Sequence, residues 1–179
     1  TIAALATVAG EKFDNVEVAL CAQSAEREYA GVNCGIMDQY ASACGKKGMA
    51  MLLDCKTLEC DYLPLELGAY SLVITDCCKP HSLADSKYNE RRSETEEALK
   101  ILQKRLDITC LADITPVQFS QCAHMLPRVL RMRAEHVVNE CQRVRTAAQA
   151  MRAGNIELLG RLINQSHASL KNLYQTTGF

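Results

Sequence analysis

Two carboxylates and the loop between them are the residues best placed to do chemistry. The stretch Glu26-Arg27-Glu28-Tyr29-Ala30-Gly31-Val32-Asn33-Cys34-Gly35-Ile36-Met37-Asp38-Gln39 reads as the polar tail of a helix, a glycine-containing loop, and a carboxylate at the start of a second apolar segment. Gly31 and Gly35 allow backbone angles that a side chain would forbid, and they let a ligand approach the main chain closely. Asp38, just after the loop, meets the partial positive charge of a helix N-terminus, which keeps a carboxylate ionised. The chemistry open to such an anion is handling a proton or a cation. The same position equally suits a plain N-cap, and the local pattern leaves both readings open.

The elements around this stretch must position it. Residues 1–8 are small and apolar with no start signal, so they read as a helix already under way, ended by Gly10. Asp14 and Glu17 have capping-box spacing for a second helix, whose apolar side is Val16, Val18, Ala19, Ala22 and Ala25 and whose end delivers Glu26. Residues 37–44 form a short helix stopped by Gly45. Three strands follow: a buried run at 49–54, an alternating segment at 61–67 confined to an edge by Pro64, and a third at 70–75. Their short connections predict antiparallel pairing.

Strand signals stop near Asp85. An amphipathic helix is expected at 86–106, with Leu99, Leu102 and Leu106 on one face. Thr115-Pro116-Val117-Gln118 combines a capping Thr, Pro at the first helical position and Gln three residues after the cap, so a short helix starts there and ends near Pro127. A long helix runs to Gly154, and a last one carries Leu159, Leu162, Ile163, Ser166, Leu170 and Leu173. The fold class is α+β: helices packed on a small, mostly antiparallel sheet, then a mostly helical part with an antiparallel pair of long helices. The apolar stripes read as core, His136 and His167 as satisfied histidines, and Arg128, Arg131 and Arg133 as a solvated face.

Composition narrows the function classes. The 179-residue chain is 48% hydrophobic and 23% charged with a net charge of −1, which fits a globular protein and gives no electrostatic footprint for nucleic acid or an anionic membrane. No apolar run reaches the roughly 20 residues of a membrane helix. No signal-peptide pattern opens the chain, so the expected location is the cytoplasm. The ten cysteines include no C-x-x-C pair, which argues against zinc and for reduced thiols acting as small hydrophobes.

Four motifs carry a resemblance to a known family. Ala25 to Gly31 followed by Cys34-Gly35-Ile36-Met37-Asp38-Gln39 resembles the segment of galactokinases that bears their catalytic aspartate. These enzymes belong to the GHMP family of sugar and small-metabolite kinases. The resemblance continues, in the family's order, through His81-Ser82-Leu83-Ala84-Asp85-Ser86-Lys87-Tyr88-Asn89-Glu90-Arg91-Arg92, Arg133-Ala134-Glu135-His136-Val137-Val138-Asn139-Glu140 and Ser166-His167-Ala168-Ser169-Leu170. It implies phosphoryl transfer from ATP to the anomeric hydroxyl of galactose, with Asp38 as the base. It further implies Glu26 as a ligand of Mg²⁺, Gly35 as backbone lying against the sugar and Tyr88 as a sugar contact. Arg91 and Arg92 remain structural pairs in this reading.

The resemblance also implies two domains, 1–80 from the later part of the GHMP N-terminal domain and 81–179 from the earlier part of the C-terminal one. The chain contains no Gly- and Ser-rich phosphate loop, no counterpart of the family's N-terminal sugar-gripping segment and no C-terminal Gly-rich motif, so it reads as the middle of a galactokinase, inactive alone. Asp76-Cys77-Cys78-Lys79-Pro80 departs from the Asn or Thr-Asn of many members. That turn leads to Tyr88, which leaves open a related sugar kinase of the same fold. A galactose and ATP sensor without turnover, and a purely helical interaction domain, complete the alternatives.

Overall fold

Several helices of this chain open where a polar side chain takes over orphaned backbone amides. Asp14 does so for the helix α2 (Asn15–Tyr29), accepting from the amides of Val16 at 2.8 Å and Glu17 at 3.2 Å. The computed structural model describes residues 1–76 and 87–176, and the chain divides into two compact units, Thr1–Asp85 and Ser86–Phe179. Ahead of α2 lies α1 (Ile2–Val8), which ends at Ala9 and Gly10. The short α3 (Met37–Cys44) stops at Gly45, where a Cβ would lie 2.7 Å from the Ala41 carbonyl oxygen.

The sheet of the first unit is a single antiparallel hairpin, β1 (Met49–Leu53) and β2 (Cys60–Pro64), in register from Met49 opposite Pro64 to Leu53 opposite Cys60. Pro64 ends its strand, where its missing N–H breaks no ladder. The hairpin is tied to α3 by hydroxyls: Tyr62 donates to the Cys44 carbonyl at 2.7 Å and Tyr40 to that of Leu58 at 3.3 Å. Ala19, Ile36, Tyr40 and Cys44 form the core of this unit, with Met51 and Leu53 packed on it from β1.

Two strand expectations are corrected here. The run at 49–54 is half-buried rather than buried: Met49 is exposed and residues 50–53 are each partly covered. The third strand, at 70–75, does not form: residues 71–76 have no regular structure, and Leu72, Val73 and Ile74 are exposed. Its composition suits a strand, yet a strand exists only where another offers its amides and carbonyls, and no described residue does so.

The second unit is helical. Its helices are α4 (Tyr88–Leu102), α5 (Pro116–Cys122), α6 (Arg128–Arg152) and α7 (Ile156–Ser169), with 3₁₀ turns at Leu111–Asp113 and Ala123–Met125. The start of the helix expected at 86–106 falls outside the described residues; its other end comes at Leu102, where the chain tightens into turns. The α5 start is the capping box read from the sequence. Gln118 N–H donates to Thr115 Oγ1, Thr115 N–H donates to Gln118 Oε1, and Pro116 holds the first helical position. Gly154 (φ 66°) closes α6 and Asn155 caps α7.

The α6–α7 pair is antiparallel, as its side-chain contacts show: Glu140 meets Ser166, His136 meets Ser169, and Arg133 meets the Leu173 carbonyl. Ala98, Leu102, Ile114, Phe119, Leu130, Ala134 and Val138 form the core between α4, α5 and α6. The last helix does not keep α geometry to Leu173 as expected. It widens into a π turn at Leu170–Tyr174, closed by Gln175 in the left-handed region (φ 57°). The widened turn offers the Leu173 carbonyl to Arg133 and stacks Tyr174 on His136, ring centroids 4.4 Å apart.

Arg133 corrects another expectation. Arg128 and Arg131 are exposed, but Arg133 is 4% exposed and its Nε donates to Glu94 Oε2 at 2.7 Å. Arg91, 3% exposed, donates to the same oxygen of Glu94 at 2.7 Å and to Glu90. Burial alone would raise the Glu94 carboxyl, but these two guanidiniums hold it below its ordinary value. The eight described cysteines are free thiols, with Cys44 and Cys122 buried. Cys77 and Cys78, with the rest of the Asp76-to-Pro80 departure after Asp76, lie outside the described residues.

Candidate active site

The loop at residues 31–36 is held by side chains of α2. Gly31 (φ 68°) turns the chain out of the helix, a conformation that L side chains rarely adopt. The Cys34 carbonyl then accepts from Arg27 Nε at 2.9 Å, from a second nitrogen of the same guanidinium at 2.6 Å and from Gln23 Nε2 at 3.3 Å. Charge-assisted bonds of this kind are stronger than neutral ones. They fix the backbone immediately before Gly35, which is exposed in the loop.

Asp38 is not an N-cap. Ile36 holds that position, and Asp38 sits exposed in the first turn of α3, where the helix dipole favours its charge. Its carboxylate is therefore spared from capping. It lies on an open cleft of about 490 Å³, facing Val18 and Ala22 of α2 and the first residues of α1, with Gln39, Ser42 and Ala43 beside it.

Glu26 is half-buried near the end of α2, and its Oε2 accepts from Gln39 Nε2, so the second carboxylate is tied to the residue next to the first. The described residues contain no cluster of three or more His, Cys, Asp or Glu able to cage an ion. A lone carboxylate still fits Mg²⁺, which keeps several waters and uses one or two carboxylates together with phosphate oxygens. Zinc, with its four nitrogen or sulfur ligands, does not fit this donor set.

Glu26, Gly35 and Asp38 all lie in the first unit, with Glu26 tied to Gln39 beside Asp38. Tyr88 opens α4 of the second unit, and its side chain lies outside the described residues. Sequence reasoning missed Gln23, Arg27 and Gln39. The signal was weak: a polar residue at the right helical offset, with nothing local to say that its partner lies across a loop.

Residues 1–46 match the family described as GHMP kinases N terminal domain, a span that contains Glu26, Gly35 and Asp38. The galactokinase of Limosilactobacillus reuteri (strain DSM 20016) is 48% identical over 93% of this chain and 43% of its own length. That of Clostridium tetani is 46% identical, again over 93% of this chain and 43% of its length. The crystal structure of Lactococcus lactis galactokinase complexed with galactose superposes with a TM-score of 0.94 at 41% identity, covering 98% of this chain and 46% of that one. The chain therefore spans less than half the length of the relatives it matches. Similarity of this depth extends through both units, and the part of the chain that carries both carboxylates matches the GHMP kinase N-terminal domain.

Proposed function

We propose that this chain is the central part of a galactokinase, which in the whole protein phosphorylates galactose at its anomeric hydroxyl with ATP as donor. The observation that supports this best is the state of Asp38: an exposed carboxylate on a cleft, at a helix start that it does not cap, where the family carries its catalytic aspartate. Asp38 accepts the proton of the sugar hydroxyl as its oxygen bonds the γ-phosphorus and the bond from that phosphorus to the bridging oxygen breaks. Such general-base action is worth roughly 10²- to 10⁴-fold in rate.

Glu26 holds Mg²⁺ in this reading, and the cation, when bound, neutralises charge on the transferring phosphates. Gly35 lies against the sugar, on backbone pinned by Arg27, and Tyr88 is a sugar contact by the same resemblance. The chain belongs in the cytoplasm on this reading; no helix among the described residues is long and apolar enough to cross a membrane.

The test is formation of galactose 1-phosphate from galactose and Mg-ATP by the longest natural polypeptide carrying these residues, beside its Asp38→Asn variant. Product formation that falls roughly 10²- to 10⁴-fold in the variant supports the proposal. Turnover of another sugar in preference to galactose moves the assignment to a related sugar kinase. Galactose and ATP binding without turnover makes the protein a sensor.

A further inference from the structure

Gln39 has no part in the reading above, yet its amide bonds one of the two carboxylates and its backbone adjoins the other. It follows Asp38 in the first turn of α3, and its Nε2 reaches across to Glu26 Oε2 on α2. The other end of the amide is different: Gln39 Oε1 is buried with no hydrogen-bond partner. A buried carbonyl without a donor is a cost that an apolar side chain of the same shape would avoid. What the amide contributes here is therefore its N–H.

That N–H is neutral, which matters for what it holds. A Lys or Arg at this place would hold Glu26 equally well but would cancel its charge, as the guanidiniums of Arg91 and Arg133 do for Glu94. An amide orients one carboxylate oxygen and leaves the negative charge in place. Among the described residues no other side chain bonds the Glu26 carboxylate, so Oε1 keeps its lone pairs for another partner. Hydrogen-bonded supports of this kind orient ligating carboxylates, and their loss costs on the order of 10- to 100-fold in metal affinity.

We infer that Gln39 is a positioning residue: it fixes the Glu26 carboxylate so that one oxygen, Oε1, stays open to a divalent cation, and it links the other, Oε2, to the helix turn bearing Asp38. The inference rests on the assignment of Glu26 to the cation. Any shift of α3 that moves Asp38 also moves the donor that orients Glu26, so the two carboxylates are set as a unit.

The experiment measures Mn²⁺ binding in the presence of ATP, from the electron paramagnetic resonance signal of free Mn²⁺, in the longest natural polypeptide carrying these residues. Three variants are compared: Gln39→Met, which keeps the length and loses the N–H, Gln39→Glu and Glu26→Gln. Circular dichroism checks that each is folded. Gln39→Met is expected to weaken Mn²⁺ binding roughly 10- to 100-fold. Gln39→Glu is expected to lose binding at a higher pH than the wild type does, because two adjacent carboxylates share a proton. A packing role would not produce that profile.

Unchanged affinity in folded Gln39→Met, with binding lost in Glu26→Gln, overturns the role of Gln39 and leaves Glu26 as the ligand. Should Gln39→Met not fold, a pH profile in Gln39→Glu unchanged from the wild type overturns it instead. Unchanged affinity in Glu26→Gln, or no Mn²⁺ binding by the wild type, removes the cation assignment of Glu26 and the inference with it.

Discussion

Glu94 and Glu26 are the same residue type, each half-buried on a helix, one in each unit, and they are held in opposite ways. Glu94 Oε2 takes a guanidinium nitrogen from Arg91 and another from Arg133, both at 2.7 Å. Glu26 takes one neutral amide, from Gln39. The first arrangement cancels the charge: a carboxylate matched by two buried arginines joins α4 to α6. The second keeps the charge available. Burial alone does not decide whether a carboxylate keeps its charge available; the charge of its partners does.

The largest break in this comparison comes from removing a partner of Glu94. Arg133→Met leaves Glu94 with Arg91 alone and strips the donors from the Leu173 carbonyl and Gln175. It should cost about 3 kcal/mol of second-unit stability, read by urea unfolding followed by near-ultraviolet circular dichroism of its two tyrosines, Tyr88 and Tyr174. Glu26→Gln, at the site, should change stability by no more than about 0.5 kcal/mol in the same assay. Equal losses would show that Glu26 is structural too.

Acid sharpens the contrast next. Burial, the main cause, holds the His136 imidazole below its ordinary value of 6.5, with Arg143 and Arg133 adding to the effect and Glu140 opposing it; Ser169 and Tyr174 face it from the other side. The unfolded chain therefore binds the proton more tightly than the folded chain. The contribution is full above 6.5 and is lost as pH falls below that value through the folded pKa. Glu94, also depressed, contributes above its ordinary value of 4.5 and loses that contribution at lower pH. Second-unit stability should fall in two steps on acidification, each by at most about 1.4 kcal/mol per pH unit. His136→Gln should remove the first step and Glu94→Gln the second; a single step surviving both would refute the assignment.

The smallest effects are at the caps, where the two units should behave alike. Asp14→Ala and Thr115→Ala each remove a side-chain acceptor from a helix start and should cost about 1 kcal/mol in thermal unfolding. Matching losses would confirm that the units differ in how they treat charge and not in how their helices begin. A cost at Asp14 several times larger would mean that α2 and its site depend on that cap alone.

What could be read from the sequence were the features in which a residue acts on its neighbours. The Thr115–Gln118 box, Pro116, the Asp14 cap, the stops at Gly45 and Gly154, and the short helix bearing Asp38 all close hydrogen bonds over a few residues, so their spacing is their geometry. The family motif around Asp38 is legible for the same reason, because helix, loop and carboxylate are contiguous. Tertiary structure decided whatever needed a distant partner. Residues 70–75 have the composition of a strand but no paired neighbour among the described residues, and Arg133, adjacent to solvated Arg131 in pattern, is buried because Glu94 on another helix receives it. The π turn forms where Arg133 and His136 take its carbonyl and its ring. The tie from Gln39 to Glu26 crosses a loop between two helices, and no helical period encodes a bond whose length is set by how those helices pack.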